Sequence, residues 1–342
     1  MDQRSKLTLA ILVILVPLAS AGCWSADGPQ VVVYCALDRE FSEPILDEFE
    51  KQTGITVLPV YDVESNKTVG LAERIIQERK RPRCDVFWNN EILHTLRLQE
   101  KGLLDKYVSP SANDFPTNYK CPDGHWHGFA ARARVFIINT EVLPDEADWP
   151  GSIHDLVDEK WKNKVAVAKP MFGTTASHAA ILFTHLGDRK ATEFFEKLKA
   201  NAAIVSGNKQ VAQDVAARRY AFGITDTDDA IIEKDKGAKV AIVYPDQGED
   251  EIGTPFIPNT LGIIKGSPNS SAARKLVDYL LKSEIEERLA KGESAQFPVN
   301  PRVKIEPRVK PNDTSLKWMN VDFGEASKHW DAARDTVKKV LN

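Results

Sequence analysis

The sequence predicts an α/β protein of two doubly wound lobes joined by a two-strand hinge. Three observations predict it. From Gln30 onward, short apolar runs alternate with amphipathic helical stretches, the pattern of β-α-β units around a mostly parallel sheet. The chain has 342 residues, and roughly 320 follow the export segment described below, more than a single growing core accommodates. Two long apolar stretches, 129–139 and 244–264, are broken by polar or turn residues and read as strands that pass between the lobes.

The elements follow in order. Val31, Val32, Val33 and Tyr34 read as a buried strand, and 41–52 as a helix with Phe41, Ile45, Leu46 and Phe49 on its apolar face and Gly54 as its stop. Residues 55–60 form the next strand, 69–79 a helix, 85–88 a third strand, and 92–99 a helix stopped at Gly102. The second half repeats the pattern with strand 164–168, helices 174–186 and 191–198, strand 203–205, helix 210–217 and strand 221–224. Right-handed crossovers of such units build one sheet per lobe. The spacing of Trp318, Phe323, Trp330, Val337 and Val340 predicts helices over 315–341 packed on a lobe. Residues 23–130 then form the first lobe, completed by about 258–308, and 131–257 the second, completed by about 309–342.

Residues 1–22 read as a signal peptide. Arg4 and Lys6 precede the apolar run 7–18, which ends in Ala19, Ser20, Ala21 and Gly22 and falls short of the ~20 residues of a spanning helix. Two processing routes are open: cleavage after Ala21, or lipidation of Cys23 behind the lipobox-like Gly22. The reading adopted is lipidation at Cys23, giving an exported protein in the periplasm or at the cell surface whose lipid anchor is its only membrane contact.

With 45 basic and 49 acidic residues the net charge is −4, so there is no basic field, and no motif, for a nucleic-acid partner. Of the four cysteines, Cys35, Cys84 and Cys121 remain once Cys23 is assigned to lipid. None has metal-ligand spacing, and small buried residues with at most one disulfide are expected.

In open α/β sheets ligands bind beyond the carboxyl ends of strands, where helix starts offer unpaired N–H groups. The residues just past those ends are Leu37-Asp38, Asn89-Asn90-Glu91, Gly173-Thr174-Thr175, Gly207-Asn208 and Thr225-Asp226-Thr227-Asp228-Asp229. Thr174 and Thr175, with Asn208 and with Arg132 or Arg134 of the first crossing strand, suit an oxyanion. The plainer reading of Thr174 or Thr175 is an N-cap. At 225–229 three carboxylates gather where capping needs one. They repel one another unless something positive sits among them, such as a hard metal ion or a ligand amine.

The expected ligand set is therefore Asp38, Asn90, Arg132, Thr174, Thr175, Asn208, Thr225, Asp226, Thr227 and Asp228, with Asp38, Asp226 and Asp228 as the metal contacts. His125 and His127 flank Trp126 in an expected exposed turn, and His178 falls inside a helix where it would face the cleft. No catalytic residue is assigned, because neither a Ser-His-Asp order nor a Gly-x-Ser-x-Gly turn appears.

Several landmarks recur in order: Val32-Val33-Tyr34, Cys84-Asp85-Val86-Phe87-Trp88, Ala131-Arg132-Ala133-Arg134-Val135, Phe172-Gly173-Thr174-Thr175-Ala176, Gly207-Asn208, Ile257-Pro258-Asn259 and Lys265-Gly266-Ser267-Pro268-Asn269. Over essentially all of its mature length the chain thus resembles the type II periplasmic binding proteins of the ferric-iron ABC-transporter family. The resemblance implies a binding module with ABC permease subunits as partners. Iron-holding members typically use adjacent tyrosines after the strand matching 221–224, with an N-terminal imidazole and a carboxylate. Those positions fall here on Thr227 and Asp228, near Asp38, and near Asn90 or Glu91, so the phenolates are missing. The positions for a synergistic anion map onto Thr174, Thr175, Asn208 and Thr225.

The expected protein is thus an extracellular solute-binding protein of an ABC importer, a monomer that closes by a hinge over a small anionic or metal-containing solute. No cofactor is expected beyond a bound metal ion with its synergistic anion. Candidate solutes, in order, are a metal–anion complex, an organic phosphonate or phosphate ester, and a small zwitterion whose amine meets Asp226 or Asp228. The rival is a metal-dependent phosphoesterase using Asp226 and Asp228.

Overall fold

The computed structural model describes residues 28–62, 68–311 and 315–341, so the signal segment and Cys23 lie outside the described residues. Strand β1 (Gln30–Cys35) pairs in parallel with β2 (Thr56–Tyr61) and β3 (Val86–Asn89), and helices α1 (Arg39–Thr53) and α2 (Val69–Gln77) connect them. Gly54 ends α1 in the left-handed region at φ 67°, its N–H closing on the Glu50 carbonyl. Helix α3 (Leu93–Glu100) follows β3.

The long strand β4 (His127–Asn139), buried throughout, belongs to both halves of the molecule. Its first half pairs with β9 (Phe256–Ile263), which lies antiparallel beside β3. Its second half pairs antiparallel with β7 (Phe222–Asp226) and β8 (Val240–Val243). Beyond β7 lie β5 (Val165–Ala168) and β6 (Ala203–Val205), both parallel. The sheet order is β2-β1-β3-β9-β4-β7-β5-β6. Each half is thus a parallel set with antiparallel neighbours at the crossing.

Within its pairing to β9 the register of β4 shifts between Phe129 and Ala131, and Ala130 sits at φ 40°. The buried Glu286 carboxylate accepts the N–H groups of Ala130 at 2.5 Å, Val299 at 2.9 Å and Asn300 at 2.7 Å. The second predicted crossing is not a continuous strand. Residues 244–255 form a loop interrupted by Pro245, Gly248, Gly253 and Pro255, and β9 begins only at Phe256.

The second half carries α4 (Gly173–Leu186), α5 (Asp188–Asn201), α6 (Asn208–Ala216) and α7 (Thr227–Asp235). Gly223 in β7 is required by close packing, since a Cβ there would meet Val211 Cγ1 at 2.5 Å and the Ala166 carbonyl at 2.6 Å. Its absence lets α6 lie directly on the sheet. Helices α8 (Ser270–Leu280) and α9 (Ser283–Lys291) cover the first half with Ala273, Leu276, Val277, Leu280, Ile285 and Leu289.

The C-terminal segment contains one helix, α10 (Phe323–Leu341), which packs Trp330, Ala333 and Val337 against α3, α4 and α5. Trp318 precedes that helix and packs instead on Phe256 and Phe297, with the chain bridged at Thr254. Cys35, Cys84 and Cys121 are buried, and no disulfide joins them to one another among the described residues. Burial pushes the Cys84 thiol well up. Among the described residues, no helix is long and apolar enough to cross a membrane.

Candidate ligand-binding site

At the carboxyl ends of the strands lies a pocket lined by Asp38 and Asn90 from the first half, Arg132 from the crossing strand, and Lys169, Thr174, Thr175, Ser206, Asn208, Asp226, Asp228 and Asp229 from the second. Three helices begin on it. Helix α4 starts at Gly173, whose φ of 54° is a glycine conformation, α6 starts at Asn208 behind Gly207, and α7 starts behind Asp226. Among the described residues none of the three starts has a side-chain cap. The first-turn N–H groups of α4 and α6 therefore present partial positive charge to the pocket, whereas on α7 the Asp229 N–H donates to Asp228 Oδ1 at 3.1 Å.

The polar side chains behind those starts bind one another. Arg134 Nη1 donates to Asp226 Oδ1 at 2.7 Å, Asn208 Oδ1 at 3.0 Å and Thr174 Oγ1 at 3.4 Å, and Nη2 donates to Thr175 Oγ1 at 3.3 Å. Thr174 donates to Asp226 Oδ2, Asn208 Nδ2 to Asp226 Oδ2 at 3.1 Å, and Thr175 to Asn208 Oδ1 at 2.8 Å. In the pocket wall Arg132 Nη1 lies 3.0 Å from Asp228 Oδ2 and 4.0 Å from Asp226 Oδ2. Burial works against the charge of Arg132, but Asp228 and Asp226 outweigh it and hold its pKa above the ordinary value.

These pairs revise the electrostatic expectation. The positive groups among the acids at 226–229 are the chain's own Arg132 and Arg134, so the crowding of carboxylates requires no metal. Oxygens of Asp226, Asp228 and Asp229 nevertheless lie within 4.8 Å of one another. Arg134 does not line the pocket but stands behind it, fully buried.

Of the expected ligand set, Asp38, Asn90, Arg132, Thr174, Thr175, Asn208, Asp226 and Asp228 come together around the pocket. Thr225 and Thr227 do not line it. Thr225 donates inward to the Asn208 carbonyl at 3.0 Å, and Thr227 Oγ1 accepts the Ala133 N–H at 3.3 Å. Alternation along β7 and the first turn of α7 turns these two side chains away from the pocket. Asn90 accepts from Thr68 at 2.5 Å.

Sequence reading missed Lys169 and Ser206, and it named Asp229 in the acidic segment without placing it in the ligand set. Lys169 and Ser206 each follow a strand by one residue, the same signal that picked out Asp38 and Asn90. Lys169 lines the pocket, is exposed, and pairs with no carboxylate among the described residues.

His127 is not in an exposed turn. It opens β4 and is buried, and burial lowers its pKa to about 4. His178 is also buried, facing an apolar cavity lined by Leu182, Phe194 and Phe195 rather than the ligand cleft. Burial, then the neighbouring Arg134, lowers its pKa to about 3.

Comparison with known proteins bears on the whole arrangement. Residues 94–326 match the family model described as bacterial extracellular solute-binding protein. Iron uptake protein A2 of Synechocystis sp. is 28% identical over 257 residues, covering 69% of this chain and 71% of that protein. A putative 2-aminoethylphosphonate-binding periplasmic protein of Salmonella typhi is 27% identical over 294 residues, 83% of each chain. The apo ferric ion-binding protein A of Pasteurella haemolytica superposes with a TM-score of 0.80 at 25% identity, covering 92% of this chain and 98% of that one. A two-half α/β clamp, a polar pocket between its halves and a family match over most of the chain agree: the protein belongs to the bacterial extracellular solute-binding proteins.

Proposed function

We propose that this chain captures a small solute outside the cytoplasmic membrane for an ABC importer. The group it recognises is the oxyanion of a phosphonate or phosphate ester, and an amine on the same solute meets Asp228 and Asp229. One observation carries this reading. Asp226 and Asp228 already face Arg134 and Arg132, whereas Lys169 and the uncapped starts of α4 and α6 face the pocket, a demand that an oxyanion meets. The Salmonella typhi relative, described as a putative 2-aminoethylphosphonate binder, supports it.

A second reading is a metal–anion complex held at Asp38, Asp226 and Asp228, favoured by the close carboxylate oxygens. Among the described lining residues there is no tyrosine, so ferric iron would find no phenolate here.

In this reading the lobes are 23–130 with about 258–308, and 131–257 with about 309–342, and they close about β4 and the 244–255 loop. The protein works as a monomer, turns over no substrate and is tethered by lipid on Cys23. Cys23→Ser should then move it into the aqueous phase of a detergent separation, and equal partitioning of both forms favours cleavage after Ala21.

Native mass spectrometry of protein purified from its own host tests the ligand. A retained organophosphonate or phosphate ester supports the proposal. A retained metal without one moves the assignment to the metal–anion complex, and hydrolysis of a phosphate ester favours the phosphoesterase.

A further inference from the structure

We infer that Arg134 is the positioning residue of this pocket: one guanidinium holds the starts of α4, α6 and α7 at the spacing an oxyanion needs, without touching the ligand. This rests on the oxyanion reading above. Arg134 is fully buried, stands outside the pocket lining, and lies opposite Asp226 in the β4–β7 register. Its acceptors belong to three separate helix starts: Thr174 and Thr175 on α4, Asn208 on α6, and Asp226 ahead of α7.

A buried ion pair alone needs only Asp226. Three further acceptors from two other helices are not explained by charge neutralisation. They are explained by the guanidinium fork, whose planar donors hold several partners in fixed directions, unlike the rotatable donors of an ammonium. The acceptors are also bonded to one another, Thr175 donating to Asn208 at 2.8 Å, Asn208 to Thr174 at 2.9 Å, and Thr174 and Asn208 both to Asp226, so that with Arg134 they form a closed ring.

Two consequences follow from the ring. The hydroxyls and amide of Thr174, Thr175 and Asn208 are engaged with one another, so what the helix starts offer a solute is backbone N–H. The directions of those N–H groups follow the helix axes, and the ring fixes the axes relative to one another. Arg134 thus acts on the solute through the helices it ties.

Hydrogen exchange by mass spectrometry on the mature chain tests this without any ligand. In Arg134→Lys, the first turns of α4, α6 and α7 should exchange faster together, by about tenfold, while α8 stays as in the wild type. Thr175→Val removes one ring member and no charge, and should loosen the α4 and α6 starts even if the lysine variant folds poorly. Calorimetry with inorganic phosphate and 2-aminoethylphosphonate should show about tenfold weaker binding in each variant, with the double variant less than additive.

Exchange confined to α7, or unchanged at α4 and α6, overturns the inference whatever the solute is. Additive effects on binding overturn it too. A wild type that binds neither probe overturns the oxyanion reading instead, and the exchange result still decides the role of Arg134.

Discussion

Ser177 Oγ donates to Glu91 Oε2 at 2.7 Å, joining two residues 86 apart in the chain. Glu91 follows β3 and is fully buried, and its carboxylate also accepts Asn89 Nδ2 at 2.7 Å and the N–H groups of Leu93 at 2.5 Å and His94 at 3.0 Å. One carboxylate therefore caps the start of α3 and ties it to the second turn of α4. Ser177→Ala leaves a buried carboxylate oxygen one donor short. The expected loss is ~1–3 kcal/mol of stability, read from urea melts, and an unchanged midpoint would mean the bond contributes nothing net.

Glu286 plays a comparable part at the crossing strand. It accepts three backbone N–H groups, one of them from Ala130 at its left-handed φ of 40°. Glu286→Ala strands three buried donors and opens a cavity beside the bulge. A loss of ~3 kcal/mol or more is expected in the same melts, and a loss below 1 kcal/mol would show that water replaces the carboxylate there.

Buried histidines give the protein a signed response to acid. The folded-state pKa of His178 is about 3 and that of His127 about 4, both depressed by burial from 6.5. Below 6.5 the unfolded chain takes up protons that the folded one refuses. Their contribution to stability is therefore fully present above pH 6.5 and is lost as pH falls toward the folded values, at ~1.4 kcal/mol per pH unit for each histidine. His178→Gln should remove about one proton from the slope of stability between pH 6 and pH 5. Equal slopes in the two proteins would show that His178 is not held neutral in the fold.

Much of the fold was legible because apolar periodicity reports burial directly: α1 and β5 lie within about two residues of their predicted spans. Of the 244–264 stretch, 256–263 is the strand β9, but 244–255 was misread as part of it because those residues form a loop held by side chains, Thr254 donating to the Pro245 carbonyl at 2.7 Å and Ser152 to Asp246 at 2.7 Å. In the site, position after a strand end found Asp38, Asn90, Thr174 and Asn208. The same rule also picked Thr225 and Thr227, whose side chains the pleat and the first turn of α7 turn away from the pocket lining. Nothing local in the sequence could pair Arg134 with Asp226, 92 residues on.

The solute's two ends are separable by substitution. Asp228 lies 3.0 Å from Arg132 Nη1 in the pocket wall, and Lys169 stands beside the starts of α4 and α6. Asp228→Asn keeps the size, removes one negative charge and leaves Arg132 less compensated. An amine-bearing solute then loses its counter-charge, whereas an oxyanion without an amine meets a more positive pocket. Binding of 2-aminoethylphosphonate should weaken by ~2 kcal/mol, about thirtyfold, while binding of methylphosphonate holds or tightens. Lys169→Ala should weaken both probes alike, because both present the same oxyanion to that cation. Ferric loading adds an independent check, since a pocket without tyrosine in its described lining should give no strong phenolate-to-iron band in the visible spectrum. Calorimetry on the two variants decides the matter. If Asp228→Asn weakens methylphosphonate as much as the amine-bearing probe, Asp228 serves only to hold Arg132 in place, and the acidic side of the pocket recognises no cation.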